Sequence, residues 1–332
     1  MENSMYMDRY FLESKNDTTD VTAQIEQILR KHGMCLLGDG VFYVSGINMP
    51  ENTTLMGVGN ATKLILCPEV EDGYAIRLNS RCAVKNMSIL GAEEETERPE
   101  AVGKRHGIAF LGNATGSDDS KFQHRNVTIE GCYIRSFTGG GIHCFDTGYS
   151  SICSITASNC HILYCGVGID ISRFSEYHEF TNMLCGKNLY GCINNGGNNV
   201  FVNCGFTGNT TGFVIDNSEG KSKNNSHGSA VGCTFNHSDS NKGIGIQLLN
   251  VQHGFVFSSC QIFFSKIVSV GSSGVVFNAF NFGKNEQIEV HGGELNLFTN
   301  CIFKNMPKIT LTDNALVKMV NCYTRNAEEV TV

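Results

Sequence analysis

A cysteine returns along this chain in one small frame: EGCYI at 130–134, SNCHI at 158–162, VNCGF at 202–206, VGCTF at 231–235, SSCQI at 258–262, TNCIF at 299–303 and VNCYT at 320–324. The steps are 28 residues from Cys132 to Cys160, then 25 to Cys185, 19 to Cys204, 29 to Cys233 and 27 to Cys260. Phe280 takes the slot 20 residues later, and Cys301 and Cys322 follow at 21 each; Met87 in KNMSI holds it one repeat earlier. A repeat of roughly 20–30 residues is the mark of a solenoid.

Each repeat carries a second echo, a short strand that alternates in character: GGIHCF at 140–145, GVGIDI at 166–171, YGCINN at 190–195, TGFVID at 211–216, KGIGIQ at 242–247, SKIVSV at 265–270, EQIEVH at 286–291 and PKITLT at 307–312. A third strand lies between, as in GFVFSS. Alternation with period two over about five residues marks half-buried strands. Two or three such strands per turn, with like residues stacked in like slots, describe an all-β, single-domain parallel β-helix. The Gly content, 37 residues against only 4 Pro, suits many tight turns rather than disordered linkers.

The stacked cysteine has three readings. A metal cluster needs close pairs such as C-x-x-C, and the chain has none. A disulfide framework needs an oxidising compartment. An inward ladder needs only that a free thiol behave as a small buried hydrophobe, which it does, so the ladder is the expectation. The Asn before several of the cysteines (Asn159, Asn203, Asn300, Asn321) belongs at a turn, where its amide bonds backbone.

Only residues 17–33, DTTDVTAQIEQILRKHG, have helical spacing. Asp20 or Thr19 is placed to cap it, Val21, Ile25, Ile28 and Leu29 form one apolar face, and Gly33 ends it. The expected organisation is a capping segment over 1–33 and the β-helix over 34–332.

Composition excludes several partners. The net charge is −7 and no basic run occurs, so no nucleic-acid partner is expected. No apolar stretch reaches the ~18 residues of a membrane helix. The polar, acidic start and 15 cysteines point to reduced thiols in a cytoplasmic compartment, with release in a virus particle as the alternative. No metal and no cofactor is expected.

The helix followed by GVFYVSGINMPENTTLMGVGNATKL and the Cys/Asn rungs resembles the pectate-lyase-type superfamily of right-handed β-helices, which includes polygalacturonases, inulin fructotransferases and phage tailspikes. The resemblance implies a right-handed coil, a groove on its lateral face and action on a poly- or oligosaccharide. GIDIS resembles the end of the first polygalacturonase element, but the preceding Asp and the Asp-Asp pair are missing. NCHILYCGVGIDI at 159–171 is similar to a segment of the fructotransferases, with an acidic residue at Asp170; Asn159 stands where that family has a second one. Members of that kind are homotrimers, which this chain is then expected to be.

Three long polar turns, 91–105, 112–125 and 216–228, would wall the groove. The middle rungs supply the chemistry. Asp170, Glu176, Glu179 and Asp146 are the candidate acid, base or nucleophile, since glycosidic cleavage needs paired carboxyl groups. Arg173, His178, His143, Asn194, Asp216 and His227 are the candidate substrate-binding groups. A lyase reading would rest on Arg173 or Lys187 as base. The non-enzyme alternative is a tailspike-type appendage that grips a surface glycan.

Overall fold

The computed structural model describes residues 10–94, 96–111, 126–145, 152–173, 175–218, 227–237, 243–284 and 287–332. It falls into two compact units, Met1–Asp170 and Ile171–Val332. Both are built of parallel ladders, and the helix Thr22–His32 is the one helix among the described residues.

The second unit shows the coil most plainly. Three short strands make each turn, and each pairs in parallel with its equivalent one turn on. Glu179–Thr181, Asn199–Val202, Gly228–Val231, Phe255–Ser258, Val276–Asn278, Asn296–Thr299 and Val317–Val320 form one ladder. Register sets like beside like: Phe180, Phe201, Ala230, Phe257, Phe277 and Phe298 occupy one interior column. Their rings stack where two Phe meet, at 5.1 Å for Phe180–Phe201, 5.0 Å for Phe257–Phe277 and 4.6 Å for Phe277–Phe298, with interplanar angles of 12°, 6° and 6°. A parallel repeat spaces rungs at about 4.8 Å, and that spacing is what brings identical rings into offset contact.

Between the first and second strand of each turn the chain bends through one residue with positive φ. That residue is Asn182, Asn203, Gly232, Ser259, Ala279, Asn300 or Asn321, with φ between 49° and 66°. Asn and Gly recur there because they enter the left-handed region at least cost. The cysteine follows the bend and points inward. Its thiol donates to a carbonyl one turn below: Cys204 to Phe180 at 3.3 Å, Cys233 to Phe201 at 3.5 Å, Cys260 to Ala230 at 3.3 Å, Cys301 to Phe277 and Cys322 to Phe298, both at 3.4 Å. The Cys233 N–H lies 3.4 Å from the Cys260 sulfur, so the cysteines do form one interior column. The fourteen whose side chains are described are buried and unbridged, and burial pushes the Cys35 and Cys165 thiols up to about 12, at Cys165 against two backbone hydrogen bonds.

Ala279 holds this bend at φ 49° with neither an amide nor glycine's freedom. Ala279→Asn is therefore expected to raise stability by about 1 kcal/mol, the cost of a left-handed alanine. A urea midpoint no higher than that of the wild type would contradict the account.

The first unit follows the same plan. Ile76, Ile108 and Ile142 share an interior column on the strands Gly73–Arg77, Arg105–Leu111 and Gly140–Phe145. Cys132 and Cys160 repeat the sulfur contact at 3.3 Å. The helix sets Ile25 and Leu29, both fully buried, against the first strands, while Ile28 is half-buried. Burial of two such side chains contributes roughly 3–6 kcal/mol. The N-cap position is Val21, which offers no side-chain acceptor. Asp20 stands one residue earlier and accepts the Thr22 N–H at 2.8 Å, so the expected cap is displaced by one. Gly33 closes the helix at φ 74°, returning its N–H to the Leu29 carbonyl at 2.9 Å.

Candidate active site

The strands Arg105–Leu111, Gly140–Phe145 and Val167–Ile171 lie side by side in one sheet. Alternation turns His143 outward between buried Ile142 and Cys144, and Asp170 outward between buried Ile169 and Ile171. The neighbouring strands bring them together: His143 Nδ1 and Asp170 Oδ2 are 2.7 Å apart. The side chains keep 14% and 24% of their surface exposed, so the pair is shielded yet reachable.

A third group completes the arrangement. His106 stacks on His143 with ring centroids 4.0 Å apart and planes 21° from parallel. Its Nδ1 accepts the Gly140 N–H at 2.9 Å, so the neutral ring carries its proton on Nε2. Burial, then the adjacent His143, pushes His106 down to about 4, and it stays uncharged at neutral pH. Glycine is required beside it, since a Cβ on Gly139 would lie 2.5 Å from the His106 ring. Arg77 sits in register with Ala109, as His143 does on the other side, which sets the two backbone positions about two strand spacings apart. The Arg77 Nε is buried and has no hydrogen-bond partner.

The other sequence candidates have other surroundings. Glu176 is half-buried and accepts a 3.4 Å bond from the Asn198 amide. Glu179 is exposed on its strand and Arg173 is half-buried. Asp216 closes the turn after its own strand by accepting the Ser218 N–H at 2.8 Å. His227 is half-buried just before the strand Gly228–Val231. Asp146 lies outside the described residues, as do the turn 112–125 and most of 216–228.

Two expected substrate contacts are corrected. His178 is 1% exposed, with Nε2 2.6 Å from the Ser175 hydroxyl and its backbone N–H donating to Asn199 Oδ1 at 2.9 Å. Asn194 is fully buried and accepts from the Asn199 amide at 2.9 Å. This polar cluster fills the coil's interior and has no surface to present to a glycan.

Burial also pushes His178 down to about 3. The unfolded chain binds a proton on each of these two histidines near pH 6.5, whereas the folded chain does so only near 4 and 3. Their contribution is thus intact above pH 6.5 and lost as pH falls. Lowering pH from 7.5 to 5 is expected to cost about 2 kcal/mol for each. His178→Gln should remove about half of that slope in urea midpoints measured across the range; an unchanged slope would contradict it.

The ladders define a parallel β-helix, and structural comparison makes it a right-handed one. The A-module of the Azotobacter vinelandii mannuronan C-5 epimerase AlgE4 superposes with a TM-score of 0.70 at 14% identity, over 96% of this chain and 94% of that one. Pre-mature gene product 12 of bacteriophage phi29 gives 0.63 at 15%, over 93% and 51%. The enzymatically active domain of tailspike protein 2 of bacteriophage CBA120 gives 0.56 at 15%, over 83% and 46%. The chain thus spans about half the length of these two phage proteins. At such identities the likeness is one of fold. The sequence matches no protein-family model and no curated protein. No helix among the described residues is long and apolar enough to cross a membrane.

Proposed function

We propose that this chain is a carbohydrate-active enzyme working on glycosidic bonds of a poly- or oligosaccharide, as a hydrolase or an intramolecular glycosyl transferase. The observation that carries the reading is the 2.7 Å contact between His143 and Asp170 on the outward face of a β-helix. Likeness in fold to a mannuronan epimerase and to a tailspike's enzymatic domain supports it.

The pairing expected from the sequence was of two carboxyl groups; here the partner of Asp170 is an imidazole. The carboxylate orients the ring through Nδ1–H and faces the charge that forms on it as the reaction proceeds. Proton exchange then runs through Nε2. The imidazolium gives its proton to the leaving glycosidic oxygen, and the attacking water or sugar hydroxyl returns one to the same nitrogen as it bonds to the anomeric carbon. His106, neutral and stacked on the ring, shields it from water. Arg77 offers a guanidinium to a substrate oxygen.

A product screen tests this. The purified protein is incubated with inulin, levan, polygalacturonate, alginate and bacterial surface glycans, and small products are followed by mass. Products one water heavier mean hydrolysis, and a dianhydride means intramolecular transfer. Unsaturated uronates, or inversion at C-5 without cleavage, would replace glycosidic chemistry by proton abstraction from carbon. Binding without any product would favour the second reading, a tailspike-type appendage on a virion, which the phage neighbours support. Assembly as a homotrimer belongs to the same proposal, and a monomer mass by light scattering would remove it.

A further inference from the structure

The first unit holds a cavity of about 320 Å³. Tyr164 borders it with an aromatic ring, the fully buried Phe137 lies behind the wall, and Ser136, Thr138 and Glu97 bring two hydroxyls and a carboxylate. The volume is at the small end for ligand sites and admits one sugar ring. The Ser136 hydroxyl oxygen is buried and has no hydrogen-bond partner, in a residue only 7% exposed. Such an oxygen is destabilising until something bonds it.

The wall is tied down. Arg105, which also borders the cavity, donates to the carbonyls of Leu66, Pro68 and Gly91 at 3.3, 2.9 and 2.8 Å. Tyr43 donates to Glu93. The Gly103 N–H bonds the Thr138 carbonyl at 2.7 Å. At Gly91 a Cβ would fall 2.1 Å from the Ser136 carbonyl, so only glycine permits this closeness.

These groups select a ligand. The bordering guanidinium is spent on backbone carbonyls, and the charge left at the rim is an acid. An anion is disfavoured; a ring with one apolar face and several hydroxyl donors fits. Chain connection links the cavity to His106, which stacks on His143. Thr138 precedes Gly140 by two residues, at most about 7 Å of chain, and Gly140 donates to His106.

From this placement we infer that the cavity is a subsite for one neutral pyranose unit of the glycan, next to the unit that meets His143 and Asp170. The inference rests on the carbohydrate reading above, and direct binding separates the two. Saturation-transfer NMR with glucose, galactose, mannose and sodium glucuronate should show millimolar binding of at least one neutral sugar and none of glucuronate. Ala92→Trp fills the cavity, which Ala92 lines. Tyr164→Asn removes the ring while suiting a backbone at φ 56°. Each should weaken binding at least about tenfold with the urea midpoint kept. Failure of every neutral sugar to bind, stronger binding of glucuronate, or unchanged binding in both variants would overturn the subsite. Sugar binding that survives in a protein without turnover would leave the subsite standing and remove only the catalytic reading.

Discussion

Asp170→Asn is expected to lower turnover about a thousandfold while leaving the fold intact. Asn has the same shape, so the outward face of Val167–Ile171 and the buried residues flanking it are undisturbed. What changes is charge and hydrogen-bond sense. An amide cannot stabilise an imidazolium as a carboxylate does. Turned to donate, it would bond His143 Nδ1 and force the proton onto Nε2, which removes the base. His143→Gln should lose a similar factor, and the double variant should lose little more, because the two groups act as a unit. The check is kcat on whichever glycan the product screen identifies, with urea midpoints alongside. Turnover within a few-fold of wild type in Asp170→Asn would take the pair out of the mechanism.

Phe277→Ala is expected to cost about 3–5 kcal/mol. Phe277 is 1% exposed, lies between Phe257 and Phe298 with rings nearly parallel, and meets the edge of Phe280 at 5.5 Å. Its column does contain one natural alanine, Ala230. There the neighbouring Phe235 and Phe255 reach Phe257, at 5.9 and 4.9 Å, and close the space. Loss of the Phe277 ring takes from Phe257 and Phe298 the partner on which each is stacked. Each turn touches only its neighbours, so the loss should be local and should loosen the last turns first. Hydrogen exchange should speed up across 276–303 before it does across 199–216. A fall in stability below about 1 kcal/mol would mean that the column repacks.

The turns were legible because a solenoid writes its geometry many times over. Eight alternating strands read from the sequence fall on parallel strands, and the cysteine slot gives the interior column, with Met87 and Phe280 as buried variants; Cys185, expected in the slot, instead pairs with Phe206, and Met183 after the bend at Asn182 holds it. The Asp170–His143 pair was half legible. Both residues were candidates, but in different roles, and only the register makes them partners. His106 was missed. It lies 37 residues before His143, and the long turn 112–125 hides the offset that puts RHGIAF beside GGIHCF.

His178 was misread for a different reason. In SEYHEF, Tyr177 adopts φ 60°. That single left-handed residue resets the alternation, so that Ser175, His178 and Phe180 point in while Tyr177 and Glu179 point out. Nothing in the residue types announces the slip, because tyrosine is a poor left-handed residue.

The buried thiols have a consequence for where such a protein can work. A disulfide-held coil would depend on the redox state of its surroundings, and a coil with exposed cysteines would be modified by them. Here the sulfurs are spent on carbonyls inside the wall. Among the described cysteines there is therefore no disulfide to reduce and no exposed thiol to oxidise. A thiol reagent applied to the native protein should find almost none of these cysteines, and should find them all once the coil is unwound.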